Sequence, residues 1–214
     1  MIFVSRFFAT ACALLSISTA IAEEKFGPDD PVAAVDGKPV FLGELNLILR
    51  PMARGRSIDE LPIDVQRAAA VVLVRRHLAL RALRQKGGSV VETAVDRYVT
   101  EKTKELERIG SSAGEIASKQ SANQESLLRS WAWEAAWNLY VKTRLTEKNL
   151  RRFYDQNVSA GDPTFDELTD QAKLRRDATN ALFDALVATQ ADVKVQWFIP
   201  ALRPPVDVQV VPSK

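Results

Sequence analysis

The chain has 214 residues, with 29 Lys and Arg against 27 Asp and Glu and a formal net charge of +2. Such a balance leaves no electrostatic footprint for nucleic acid or for an anionic membrane as the main partner. One cysteine and one histidine exclude a disulfide framework and the usual zinc ligand sets.

Met1 to Ala22 carries Arg6, an apolar run from Phe7 to Ala20 and a small-x-small end at Ala20-Ile21-Ala22. This is the layout of a secretory signal peptide cut after Ala22. The run is shorter than the ~20 residues a membrane span needs, so the expected product is periplasmic or secreted, with no membrane span after cleavage. Cys12 lies inside the run, and the mature chain then holds no thiol.

Residues 23–30 contain Gly27 and Pro28 and read as a loose leader. Val32 to Val35 and Val40 to Leu42 flank Asp36-Gly37, the pairing that favours a tight hairpin turn. Pro39 places the second strand at an edge or makes it irregular. A short helix follows over Gly43 to Leu49, then a loop from Pro51 to Ile58.

Leu61-Pro62 opens a long helix, with Pro62 in the first turn. Val65, Ala68, Ala69, Val72, Leu73, Ala79, Leu80 and Leu83 form its core stripe, and Gly87-Gly88 ends it. Arg76 falls inside that stripe, where it either snorkels or meets a buried acid. Ser89 with Glu92 caps a charged helix reaching about Arg108, and a short helix starts near Glu115.

Ser121 with Gln124 caps the next helix, which holds three of the four tryptophans. At about 100° per residue, Leu127, Leu128, Trp131, Ala132, Ala135 and Leu139 share one arc. Trp133, Trp137 and Tyr140 share nearly the opposite one, between Arg129 and Arg144. A surface helix ordinarily has one apolar stripe. The second arc is therefore either another core layer or an open binding face.

Thr146 caps a new helix in LTEKNLRRFYDQN, and Val158 to Pro163 is a turn-rich break. Thr164 with Glu167 caps a last long helix, with Phe165, Leu168, Ala178, Leu182 and Ala185 near helical period. Val193, Val195 and Trp197 alternate as a strand, and residues 201–214 form an extended, proline-punctuated tail. The fold class is mainly α: one helical domain over residues 31–200 with a short N-terminal β-hairpin paired to a C-terminal strand.

No phosphate loop, dinucleotide fingerprint or calcium-loop spacing is present. His77 lacks a sequence motif supplying a nucleophile and an orienting acid and reads as an ordinary packed or half-exposed side chain. The expectation is no catalytic residue, no metal and no cofactor.

Three segments in order carry a resemblance. The hairpin PVAAVDGKPVFLGELN, the helix beginning LPIDVQ and ending RQKGG, and LTEKNLRRFYDQN resemble the N-terminal chaperone region of SurA-like and PrsA-like parvulin foldases. Val32, Val35, Asp36, Gly37, Val40, Leu61, Pro62, Gln85 and Gly87 match the first two elements. Thr146, Leu150, Phe153, Tyr154 and Asn157 match the third. In that family the parvulin peptidyl-prolyl isomerase domain normally follows, opening on a histidine-bearing strand. This sequence has no histidine after His77, so the catalytic domain is missing from the match.

The resemblance implies a helical cradle closed by the terminal strands. It implies an ATP-independent cell-envelope chaperone that binds unfolded or extended polypeptides without catalysis. The peptide-binding candidates are Trp133, Trp137 and Tyr140, flanked by Arg129 and Arg144. Two alternatives stand beside it: a scaffold domain with one dedicated protein partner, and a divergent isomerase homologue. Open-edged terminal strands also permit a swapped homodimer.

Overall fold

The computed structural model describes residues 26–159 and 161–205. The segment expected to be a signal peptide and the end of the tail lie outside the described residues. The protein is mainly α, with six α-helices and one three-stranded antiparallel sheet among the described residues.

Asp36 and Gly37 both take positive φ, 53° and 74°, the backbone that a two-residue hairpin demands. They join β1 (Pro31–Val35) to β2 (Lys38–Phe41), with Val35 opposite Lys38. On the other side of β1 lies β3 (Val195–Trp197), with Ala33 opposite Trp197. The order β2-β1-β3 puts the Pro39 strand at an edge. Val32 to Val35 are all buried.

The first helix, α1 (Leu42–Ala53), runs through Pro51. The loop expected from Pro51 thus begins only at Arg54. Leu49 and Ala53 are almost completely buried, and their packing outweighs one lost backbone bond near the helix end. Residues 27–30 are docked, correcting the loose leader: the Gly43 and Leu42 amides donate to Pro28 and Asp30 carbonyls at 2.9 and 2.8 Å. Gly43 also lets α1 approach closely, since a Cβ there would lie 2.6 Å from the Ser126 Oγ.

The second helical element, α2 (Ile63–Arg108), is two segments broken at Gly88, whose φ of 49° and ψ of −133° are not helical. Gly87-Gly88 ends the first segment as expected, and the charged segment follows directly. Its N-terminal half buries Ala70, Val74, Leu78, Ala79 and Ala82 completely. The core therefore sits to one side of the expected stripe. Ala69, Leu73 and Leu83 are buried, Val65 and Leu80 half-buried, and Ala68 and Val72 exposed.

Next come α3 (Ala113–Ser118) and α4 (Gln124–Arg144). Ser112 with Glu115 caps α3, so this helix starts before Glu115. The α4 cap is Asn123, which accepts the Ser126 amide at 2.7 Å. Ser121 instead takes a left-handed φ of 56° in the preceding turn. Thr146 caps α5 (Glu147–Asn157) as expected.

Thr164 and Glu167 cap only a 3₁₀ turn, Phe165–Glu167, and Asp170 starts α6 (Gln171–Ala188). Of the expected α6 stripe Ala178 is buried, but Ala185 is exposed, and Leu186 and Val187 take the core positions. A second 3₁₀ turn, Pro200–Leu202, buries Leu202. The tail is thus anchored at its start rather than extended from residue 201. Among the described residues no helix is long and apolar enough to cross a membrane.

Candidate functional site

The two arcs of α4 both have cover. Leu127, Leu128 and Trp131 pack with Ala113, Ala117 and Ala122 in a small cluster around α3. Ala132, Ala135, Ala136 and Leu139 join the main core, and so do Trp133, Trp137 and Tyr140. Trp133 and Trp137 stack with ring centroids 5.4 Å apart. Phe183 of α6 meets both edge-on at 5.9 and 5.8 Å, the arrangement favoured by ring quadrupoles. All three aromatics remain half-buried.

The five candidate residues do not line one hollow, although Trp137 bridges Trp133 and Tyr140 with ring centroids 5.4 and 6.0 Å away. Trp133 and Arg129 line a cleft of about 260 Å³ between α1, α2 and α4, with Pro39, Ile48, Leu73 and Leu80 as its apolar walls. Tyr140 and Arg144 lie together at a second hollow of about 190 Å³ beside Leu83, Gly87 and Val91. There the Arg144 guanidinium sits 5.7 Å from the Tyr140 ring. Trp137 is not among the lining residues of either hollow.

The floor of the first cleft is polar and fully engaged. Glu44, 5% exposed, accepts from His77 Nε2 at 2.8 Å and from the Phe41 amide at 3.2 Å. Arg129 approaches the same carboxylate at 3.4 Å, pairs with Glu125 and donates to the Pro39 carbonyl at 2.7 Å. Its guanidinium also lies 4.7 Å from the Phe41 ring. A buried carboxylate needs such donors. Together these contacts tie β2, α1, α2 and α4. Arg129 is thus part of the framework that shapes the cleft.

Sequence reasoning missed Glu44 and did not pair it with His77. Glu44 stood out only as one acid in a short apolar helix, and its partners come from helices far away in the chain.

Arg76 is the other feature of this cleft. It is half-buried and points at Trp133, with its guanidinium 6.0 Å from the ring. The buried acid foreseen as one option is absent: no carboxylate lies within ion-pair distance among the described residues. Burial pushes its pKa below the ordinary arginine value.

Next to the cleft lies a trough of about 400 Å³ lined by Ile48, Met52, Val65, Ala68, Ala69 and Val72 beside Asp64. Ile48 belongs to both hollows. Along α2 the lining positions 65, 69 and 72 of the trough and 76, 80 and 84 of the cleft recur near helical spacing, so the two hollows follow one another along one grooved face and meet at Ile48. From Val65 to Arg84 this face spans ~28 Å at 1.5 Å per residue.

No family model matches the chain, and neither a curated protein nor a solved structure matches it.

Proposed function

We propose that this protein is an ATP-independent chaperone-like domain of the cell envelope that holds unfolded or extended polypeptide in the α1–α2–α4 groove, without catalysis. One observation carries the reading. The apolar stripe of α2 is wider than the core beneath it, and its surplus lines an open channel. Val72 is 39% exposed there, and Met52 of α1, lining the same trough, is 48% exposed.

Apolar side chains left at the floor of a groove mark a docking surface. A length of ~28 Å accommodates about eight residues of extended chain at 3.3 Å each. Burial of apolar area at about 25 cal/mol per Å² supplies weak, reversible capture without a nucleotide cycle. The order of hairpin, long helix, aromatic helix and Thr146-capped helix supports the SurA-like reading, and so does the β1–β3 pairing.

The test uses a fluorescent polypeptide that cannot fold, such as a reduced and carboxymethylated protein. Wild-type protein raises its anisotropy and slows aggregation of several unrelated clients. Val72→Asp, at an exposed position, weakens binding about tenfold, as expected for losing one apolar contact and burying a charge. Wild-type protein that binds none of these clients overturns the proposal. A single tight partner recovered instead establishes the scaffold alternative.

A further inference from the structure

The groove is not uniform along its length. The Val65–Val72 end is apolar, whereas Lys38, Arg76, Arg84 and Arg129 surround the other end, with Glu44 as its one lining carboxylate. Arg129 is held by Glu44 and Glu125, and Arg84 by Glu92 at 3.0 Å. Among the described residues Arg76 is the half-buried cation of this end that has no acid of its own. A guanidinium is a planar fork of five donors and matches a carboxylate in two parallel bonds. Held partly out of water, it has already lost some hydration, so an incoming carboxylate restores more than it would at an open surface.

We infer that Arg76 receives an Asp or Glu side chain of the bound polypeptide, so that the groove selects extended segments in which an acid sits two residues from an apolar position. This rests on the groove reading above.

The spacing follows from two periodicities. Val72 and Arg76 are four residues apart on one helix, ~6 Å along its axis. Residues i and i+2 of an extended chain face the same way and lie ~6.7 Å apart. An apolar side chain over Val72 therefore puts the side chain two places on over Arg76. Continuing the match outward gives apolar-x-apolar-x-acid, with the intervening side chains facing solvent. The acid is an internal one, because the lining of α2 continues beyond Arg76 to Leu80 and Arg84. A chain seated at Arg76 is not obliged to end there.

The experiment uses the full chain and three labelled twelve-residue peptides with acetylated N-termini. One carries Val-Ser-Leu-Ser-Glu and an amidated end. The second has Gln for Glu. The third is the Gln peptide with a free C-terminal carboxylate. The Glu peptide binds wild type about tenfold more tightly than its Gln counterpart, a charged bidentate pair being worth at least that factor. In Arg76→Gln the ratio falls below about twofold.

Equal binding of Glu and Gln peptides by wild type overturns the inference and leaves the groove reading intact. So does a preference that survives Arg76→Gln, or one shown only by the free terminal carboxylate. If none of the three peptides binds, the groove reading falls and this inference falls with it. The Glu-to-Gln ratio on wild type needs no variant, so poor folding of Arg76→Gln cannot mask the result.

Discussion

The main core draws on distant parts of the chain: β1 and α1, α2 on both sides of Gly88, α4, the end of α6, and residues 195–202. At the α5–α6 end, Leu150, Phe165, Leu174 and Ala178 bury themselves among side chains that all lie between residues 145 and 178. The polar ties there are exposed. Arg151 grips Asp166 with two bonds of 3.0 and 2.7 Å and lies 4.5 Å from the Phe165 ring, and the Tyr154 hydroxyl donates to the Pro163 carbonyl. Solvated ion pairs contribute little. The outer cluster therefore opens at a lower free energy than the core that holds the groove.

Leu78→Ala removes a fully buried side chain beneath the groove and is expected to cost about 3 kcal/mol, measured by chemical denaturation. Leu150→Ala, in the outer cluster, costs about 2 kcal/mol, but its effect is local. Amide exchange rises across residues 147–178 while amides around Leu78 stay protected. Equal acceleration in both regions would merge them into one cooperative unit and erase the distinction.

Gly88→Ala forces a side chain onto a φ of 49° and is expected to cost about 1–2 kcal/mol. The lost stability falls mainly on the second half of α2, read from its exchange rates.

The smallest effect is pH-dependent. The Arg151 side chain bonds Asp166 and holds its carboxyl below the ordinary 3.8. A carboxylate with a depressed folded pKa stabilises above its unfolded value, and that contribution disappears as pH falls through the folded one. Exchange in the outer cluster should therefore quicken below about pH 4 before the main core responds. Asp166→Asn should abolish this component of the acid response.

The same contrast governs how far the sequence could be read. Local signals transferred well: Asp36-Gly37 made the hairpin turn, Thr146 capped α5, and Pro39 fell on an edge strand. Nearby competition moved other boundaries, because Asn123 and Asp170 offered better-placed side-chain oxygens than Ser121 and Thr164. Pro51 stayed helical because Leu49 and Ala53 are drawn into the core.

The groove was visible only in part. Arg76 was marked by its place inside an apolar stripe, and Trp133 by the second arc of α4. Which half of that stripe stays open depends on where α1 and α4 dock. Periodicity within α2 carries no record of that choice. Glu44 and His77 met for the same reason, through the packing of α1 on α2.

The position of β1 also sets a schedule. Ala33 pairs on one side with Val40, a few residues ahead, and on the other with Trp197. Ile199 and Leu202, just beyond, complete the burial of the core. During synthesis the first partner is present almost at once, and the second arrives only after every described helix has been made. Such long-range closure slows folding, so a nascent chain keeps one edge of its central strand unfilled until residue 202 has emerged.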